Sequence, residues 1–180
     1  NHEVLTGDEK VLSNASCTTN AAAPLIQVLS GLGGLINAQL TTVHSYTNDQ
    51  KLHDGPHSDL RRARAGALSI VPTSTGAAAA IVKIFPELQG KIDGYAVRVP
   101  VPSGSLIDIC ATMDGEYSQE TINKAFKEAA SGKLKGILAY TDEQLVSVDI
   151  IGNEHSCIYD AQLTSVVGNC LLYTSPSPRD

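Results

Sequence analysis

From Ile36 to Tyr46 the chain alternates without a break, and Ile36, Ala38, Leu40, Thr42, His44 and Tyr46 fall on one face. A period of two is the signature of a strand. A strand with one apolar face needs neighbouring strands and a covering layer, which limits the chain to sheet-containing architectures. The same alternation carries His44 to the end of that face, just before a polar stretch over residues 47–64 with turn chemistry at Asp54-Gly55-Pro56. A loop of that length inside a compact domain is usually functional or disordered.

The flanking segments supply the covering layer. Val11-Leu12 reads as a short strand running into Ser13-Asn14-Ala15-Ser16, a cluster of helix-start residues. A helix is expected over 18–32, with Leu25, Ile26, Val28 and Leu29 as its apolar stripe. Gly31, Gly33 and Gly34 end it, and Pro24 lies near enough to its start to be tolerated. Residues 67–71 read as a strand, and Ser74-Thr75-Gly76 opens a second helix reaching about Phe85. Strands over 94–101 and 105–113 follow, joined at Pro102-Ser103-Gly104. Ser118 caps a third helix with Ile122, Ala125, Phe126 and Ala129 on one side. Short strands near 137–140, 145–148, 157–159 and 163–167 complete an α+β pattern, a mixed sheet with helices on one face. The tail from Cys170 to Asp180 changes composition, and Ser175-Pro176-Ser177-Pro178 should not continue a central strand. It is expected to be a disordered or artefactual end.

With two Phe, six Tyr and no Trp among 180 residues, the core must come mainly from Ala, Val, Ile and Leu. A net charge of −6 argues against nucleic-acid or anionic-membrane partners, and no apolar run nears the about 20 residues that cross a bilayer. The basic run Arg61-Arg62-Ala63-Arg64 still offers a local anion site beside the commoner reading, a solvated face. Cys17, Cys110, Cys157 and Cys170 show no CxxC spacing, which fits reduced thiols in the cytoplasm, a plastid being the alternative.

The chemistry concentrates at Cys17. Helix-start N–H groups and the positive end of the dipole favour a thiolate there. The same groups, with the Ser16 and Thr18 hydroxyls, suit an anion or a developing oxyanion. A neutral imidazole at His44 would act as acid and base to that sulfur, the competing reading being a packed core histidine. Thr75-Gly76 at a helix start is a second anion cradle or an ordinary cap. Arg98, between Val97 and Val99, needs a carboxylate or phosphate partner. His53 and His57 lack the clustered ligands of a metal site, and none is expected.

Six blocks together resemble glyceraldehyde-3-phosphate dehydrogenase: SNASCTTN at 13–20, TTVHSYTNDQ at 41–50, DLRRARA at 59–65, PTSTGAA at 72–78, RVPVPSGSL at 98–106 and KGILAYT at 135–141. The resemblance runs through nearly all of residues 1–169 and implies that family's catalytic domain, its sheet largely antiparallel. It makes Cys17 the nucleophile that attacks the aldehyde and His44 its partner. Oxidation by NAD then gives a thioester that inorganic phosphate cleaves to 1,3-bisphosphoglycerate. It places Ser16, Thr18, Thr75, Gly76 and Arg62 around the attacking phosphate, and Thr47, Asp49 and Arg98 at the phosphate of the substrate, with Asp49 orienting Arg98. The loop over 47–64 matches the family's S-shaped loop, which implies a homotetramer. Gly55-Pro56 resembles NAD-using members, NADP being the alternative. Ala79 stands where many members have lysine.

No GxGxxG follows a strand, and the match ends after Asn169. The resemblance therefore implies a domain incomplete at its C-terminus, with the family's dinucleotide-binding domain absent, that does not by itself bind NAD or turn over. Erythrose-4-phosphate dehydrogenase shares the cysteine–histidine chemistry, although the Ser74-Thr75-Gly76-Ala77 segment favours the glyceraldehyde phosphate enzyme. A cysteine hydrolase and a non-catalytic assembly fragment are the readings from other classes.

Overall fold

Ser16 sets the start of the first helix. Its backbone is extended, and its hydroxyl accepts from the Thr19 amide at 3.1 Å, satisfying a donor that the first turn leaves open. In the computed structural model, which describes residues 5–178, this helix, α1, spans Cys17–Leu32 with Pro24 inside it. Residues 1–4 of the expected domain and 179–180 of the expected tail lie outside the described residues.

The alternating run forms β1, Leu35–Ser45. Ala38, Leu40, Thr42 and His44 are buried on one face as the pattern requires, but Ile36 is exposed. A register shift between Leu35 and Asn37, where β1 meets β4, breaks the alternation there. The remaining elements are β2 (Val71–Ser74), α2 (Ala77–Ile84), β3 (Ile92–Val99), β4 (Ser105–Met113), α3 (Gln119–Ser131), β5 (Leu138–Thr141), β6 (Cys157–Asp160), β7 (Ser165–Val167) and β8 (Cys170–Ser177). Six strands form one sheet in the order β2-β3-β1-β4-β8-β7, and β5 and β6 pair separately. Among the described residues the large sheet has five pairings, of which only β1 with β3 is parallel. The fold is thus α+β with a mixed, mostly antiparallel sheet.

Four local expectations need correction. Residues 11–12 form no strand, and Val11 and Leu12 lie exposed at 87% and 66%. The strand expected over 67–71 begins only at Val71, because Leu68 and Ile70 face solvent while Pro72-Thr73-Ser74 pair with β3. Residues 145–148 form no strand, and Val146 and Val148 are exposed. Finally, residues 170–177 are not an unstructured end, because β8 runs antiparallel to β4 from Thr112↔Cys170 to Ser105↔Ser177. β7 covers only Cys170 to Leu172, so Pro176 sits where the outer edge of β8 has no ladder to interrupt.

The core lies between the sheet and the helices. Leu25, Ile26 and Leu29 of α1 meet Leu40, Ile107, Ile109 and Met113 of the sheet and Ile122 and Phe126 of α3, all fully buried. Aliphatic side chains dominate it, as the composition requires. The aromatic exception is a near-parallel stack of Phe126 on Tyr159, with centroids 3.9 Å apart.

One close approach ties the packing to the site. In the parallel pair Leu40 faces Gly94 and, two pleat repeats further along, His44 faces Arg98. A Cβ at Gly94 would stand 2.6 Å from the Leu40 carbonyl oxygen and 2.8 Å from the Leu40 Cβ. Gly94→Ala is expected to cost about 1–3 kcal/mol by forcing the two backbones apart. Thermal denaturation should show Tm falling by several degrees. An unchanged Tm would mean that the strands yield without penalty.

Candidate active site

Cys17 is the first residue of α1, and the chain enters that turn through Ala15, whose φ of 54° is left-handed. A side chain costs about 1–3 kcal/mol in that region, so the turn that presents the thiol is held by its surroundings. Asn20 supplies part of that hold, its side-chain amide donating to the carbonyls of Asn14 (2.7 Å) and Ser16 (2.9 Å).

β1 delivers His44 to the same place. Its Nε2 lies 3.2 Å from the Cys17 Sγ, while Nδ1 lies 2.8 Å from the Ser45 carbonyl oxygen. The imidazole is 5% exposed, so core burial and contact with the thiol are both true of it. Burial is the largest single influence on Cys17 and pushes the thiol up. The hydrogen bond and charge of His44, with smaller contributions from the Thr18 hydroxyl and amide, outweigh it and hold Cys17 below the ordinary thiol range. Burial is also the largest influence on His44 and disfavours its charge, with Arg98 adding to the effect. The hydrogen bonds to Cys17 and Ser45 prevail and raise its pKa. The two shifts favour a thiolate–imidazolium pair.

Arg98, opposite His44 on β3, places Nη1 2.8 Å from His44 Nδ1 and donates to the Ser45 carbonyl (2.9 Å) and Thr47 Oγ1 (3.4 Å). Arg62 reaches in from the long loop, donating from Nε to Thr73 Oγ1 (2.7 Å), from Nη1 to Asp49 (2.8 Å) and from Nη2 to the Ser74 carbonyl (3.1 Å). Thr75 and Gly76 form the turn into α2, the Thr75 hydroxyl accepting from the Ala77 amide at 3.2 Å.

A pocket of about 300 Å³ opens between these elements. Of the ten residues singled out in the sequence it collects eight: Ser16, Cys17, Thr18, His44, Arg62, Thr75, Gly76 and Arg98. Thr47 joins at one remove through Arg98. Asp49 does not do what was expected. Its carboxylate binds Arg62 and accepts from His57 at 3.0 Å, so the arginine it orients is Arg62. Those two partners, His57 first, hold its pKa below the ordinary carboxylate range.

Three contributors escaped the sequence reading. Ala96 leaves room in the pocket floor, the Ser45 carbonyl anchors both His44 and Arg98, and Thr73 fixes Arg62 while donating to Asp59 at 2.6 Å. The small Ala96 amid Tyr95, Val97 and Val99 was a legible hint. A main-chain carbonyl leaves no mark in sequence. The remaining thiols are unlike Cys17, since burial pushes Cys157 up to about 12 and contact with Cys170 pushes Cys110 up to about 11.

Fold and pocket define a class, α+β domains that set a cysteine–histidine pair among positively polarised groups. Comparison with known proteins sharpens it. Residues 16–175 match the family described as glyceraldehyde 3-phosphate dehydrogenase, C-terminal domain. That match continues past Asn169 into the segment expected to lie outside the family. The chain is 55% identical over 169 residues to a glyceraldehyde-3-phosphate dehydrogenase of Mycobacterium avium, covering 94% of this chain and 50% of that protein. It is 54% identical over 169 residues to that of Mycobacterium leprae, with the same coverage. Identity to glyceraldehyde-3-phosphate dehydrogenase 2 of Streptomyces avermitilis is 50% over 157 residues, 87% of this chain and 47% of that protein. The chain belongs to the glyceraldehyde 3-phosphate dehydrogenase family, and it spans about half the length of the curated relatives it matches.

Proposed function

We propose that this chain carries the covalent chemistry of a phosphorylating glyceraldehyde-3-phosphate dehydrogenase, a glycolytic oxidoreductase. The observation that carries the reading is the 3.2 Å contact between Cys17 Sγ and His44 Nε2 in a pocket lined by Arg62, Arg98 and hydroxyl side chains. The Cys17 thiolate attacks the aldehyde carbon, and His44 protonates the alkoxide to give a thiohemiacetal. His44 then takes the hydroxyl proton back as the carbon is oxidised to a thioester. Inorganic phosphate attacks that thioester, which expels the sulfur and yields the acyl phosphate. The Ser16 and Thr18 hydroxyls, Thr75, Gly76 and Arg62 hold the attacking phosphate, and Arg98 with Thr47 holds the phosphate ester of the substrate. Asp49 serves the first of these sites by keeping Arg62 in place.

The oxidation step needs a hydride acceptor, NAD by the family relation, with NADP the alternative. The described residues build no glycine-rich strand–turn–helix cradle for a dinucleotide. The test is made on the full-length protein. NAD reduction should require glyceraldehyde 3-phosphate and stall after one equivalent per site when inorganic phosphate is withheld. Continuous hydrolysis without nucleotide would replace the dehydrogenase with a cysteine hydrolase.

The homotetramer implied by the loop over 47–64 has a physical motive. Leu52, Leu60, Leu68 and Ile70 are 90%, 81%, 78% and 69% exposed within one stretch of chain. Apolar side chains gathered in this way mark contact surfaces. Replacing Leu52 and Leu60 together with serine is expected to lower the assembly mass seen by light scattering. Retention of the tetramer would remove this stretch from the contacts.

A further inference from the structure

Arg62 is held in a closed circuit of hydrogen bonds. Its Nε donates to Thr73 Oγ1 at 2.7 Å, and the Thr73 hydroxyl donates on to the Asp59 carboxylate at 2.6 Å. The Asp59 amide in turn donates to His57 Nδ1 at 2.8 Å. A peptide N–H only donates, so Nδ1 carries the lone pair and Nε2 is the nitrogen that bears the proton. That Nε2–H meets Asp49 Oδ1 at 3.0 Å, while Asp49 Oδ2 accepts from Arg62 Nη1 at 2.8 Å. The circuit is then complete. It also decides which hydrogens Arg62 has left. Thr73 takes Nε, Asp49 takes one hydrogen of Nη1, and the Ser74 carbonyl takes one of Nη2. Among the described residues the other hydrogen on each Nη has no partner, and such a pair suits an oxyanion.

Asp49 is the threat to that pair. Its side chain is 45% exposed, whereas that of His57 is only 17% exposed. A carboxylate beside an arginine favours a bidentate fork, which would consume a second guanidinium hydrogen. The alternative, a swing toward solvent, would release Arg62 from its aim. Occupation of Oδ1 by His57 prevents both. We infer that His57 is a positioning residue for the attacking phosphate: it holds one oxygen of Asp49, so that the carboxylate steers Arg62 through the other and leaves the guanidinium two hydrogens for the incoming anion. This rests on the reading of Arg62 as a ligand of inorganic phosphate. Neither His57 nor Asp49 lines the pocket, so both act through the arginine. The effect is confined to one stage of the reaction. Attack on the aldehyde and oxidation to the thioester precede the entry of phosphate, and neither draws on this circuit.

The test is steady-state and single-turnover kinetics of the full-length protein. His57→Leu should raise KM for inorganic phosphate about tenfold, the size of one lost charge-assisted hydrogen bond. The burst of NAD reduction with phosphate withheld, and KM for glyceraldehyde 3-phosphate, should stay within about twofold of wild type. His57→Asn, whose amide is too short to reach Asp49, should behave as His57→Leu does. His57→Gln carries an N–H close to the place of Nε2 and should restore most of the affinity. These two polar variants make the comparison by themselves if the apolar one does not fold. In an Asp49→Ala background, His57→Leu should move the phosphate KM by less than about twofold, because the carboxylate it acts through is gone. A wild-type phosphate KM in His57→Leu and His57→Asn overturns the inference. So does a burst slowed in step with phosphate use, which would mark general damage to the loop. NAD reduction that never depends on phosphate would sink the phosphorylating reading and this inference together, whereas a phosphate-dependent enzyme indifferent to His57 would sink this inference alone.

Discussion

Cys17→Ser in the full-length protein is expected to abolish NAD reduction, by at least about 10⁴-fold, while leaving the fold in place. The sulfur is half-buried at the first turn of α1, next to a cap made by Ser16 and not by Cys17 itself. A serine hydroxyl fits that volume and can still meet His44. What it cannot do is ionise. The same arrangement holds Cys17 below the ordinary thiol range, but a serine hydroxyl begins far too high for it to yield an alkoxide near neutral pH. The loss should therefore appear in kcat, with stability changed by no more than surface substitutions produce, roughly 0.5 kcal/mol. Initial rates and thermal denaturation of the same preparation make the check. Turnover within tenfold of wild type, an order-of-magnitude margin on the same scale, would remove Cys17 from the covalent step.

Legibility in the sequence followed how local each feature is. The alternation through Leu40, Thr42 and His44 shows both a strand and its buried face, because side-chain direction there depends only on neighbours in sequence. Ser16 ahead of Cys17 marks the helix start for the same reason. Sheet order is different. Residues 94–101 and 105–113 read as consecutive strands, yet β1 lies between β3 and β4, parallel to one and antiparallel to the other. Nothing in a short turn at Pro102-Ser103-Gly104 announces that a distant strand will insert. This insertion is what sets His44 opposite Arg98. Where apolar content misled, tertiary packing had overruled it. Leu68, Ile70, Val146 and Val148 look like strand residues and end exposed, while polar Thr73 and Ser74 form β2 because Arg62 and the edge of β3 need them there. The family resemblance supplied the site residues, but the pairing of Asp49 with Arg62 depends on how the loop folds back, which no short motif encodes.

His44→Asn is the complementary experiment, and it separates activation of the sulfur from the rest of the site. In the wild type the Cys17 pKa is lowered, so thiolate survives as pH falls below about 8.5, the usual thiol value. Asparagine cannot become cationic. The stabilising hydrogen bond and charge then disappear, while burial, the largest influence on Cys17, remains and pushes its pKa up. The sign is fixed, and Cys17 in the variant must titrate higher than in the wild type. At pH 7 an ordinary thiol is only about 3% ionised, and that fraction falls tenfold with each further pH unit. Alkylation by iodoacetamide, a neutral reagent, reads the thiolate directly. Wild-type labelling should fall less between pH 8 and pH 7 than that of His44→Asn, which drops about tenfold, as an unperturbed thiol does over that interval. Turnover should fall by about 10²–10⁴-fold, since His44 is also the acid and base of the reaction. If the variant is alkylated at pH 7 as fast as the wild type, the 3.2 Å contact is packing alone, and the ionised pair has no part in the chemistry.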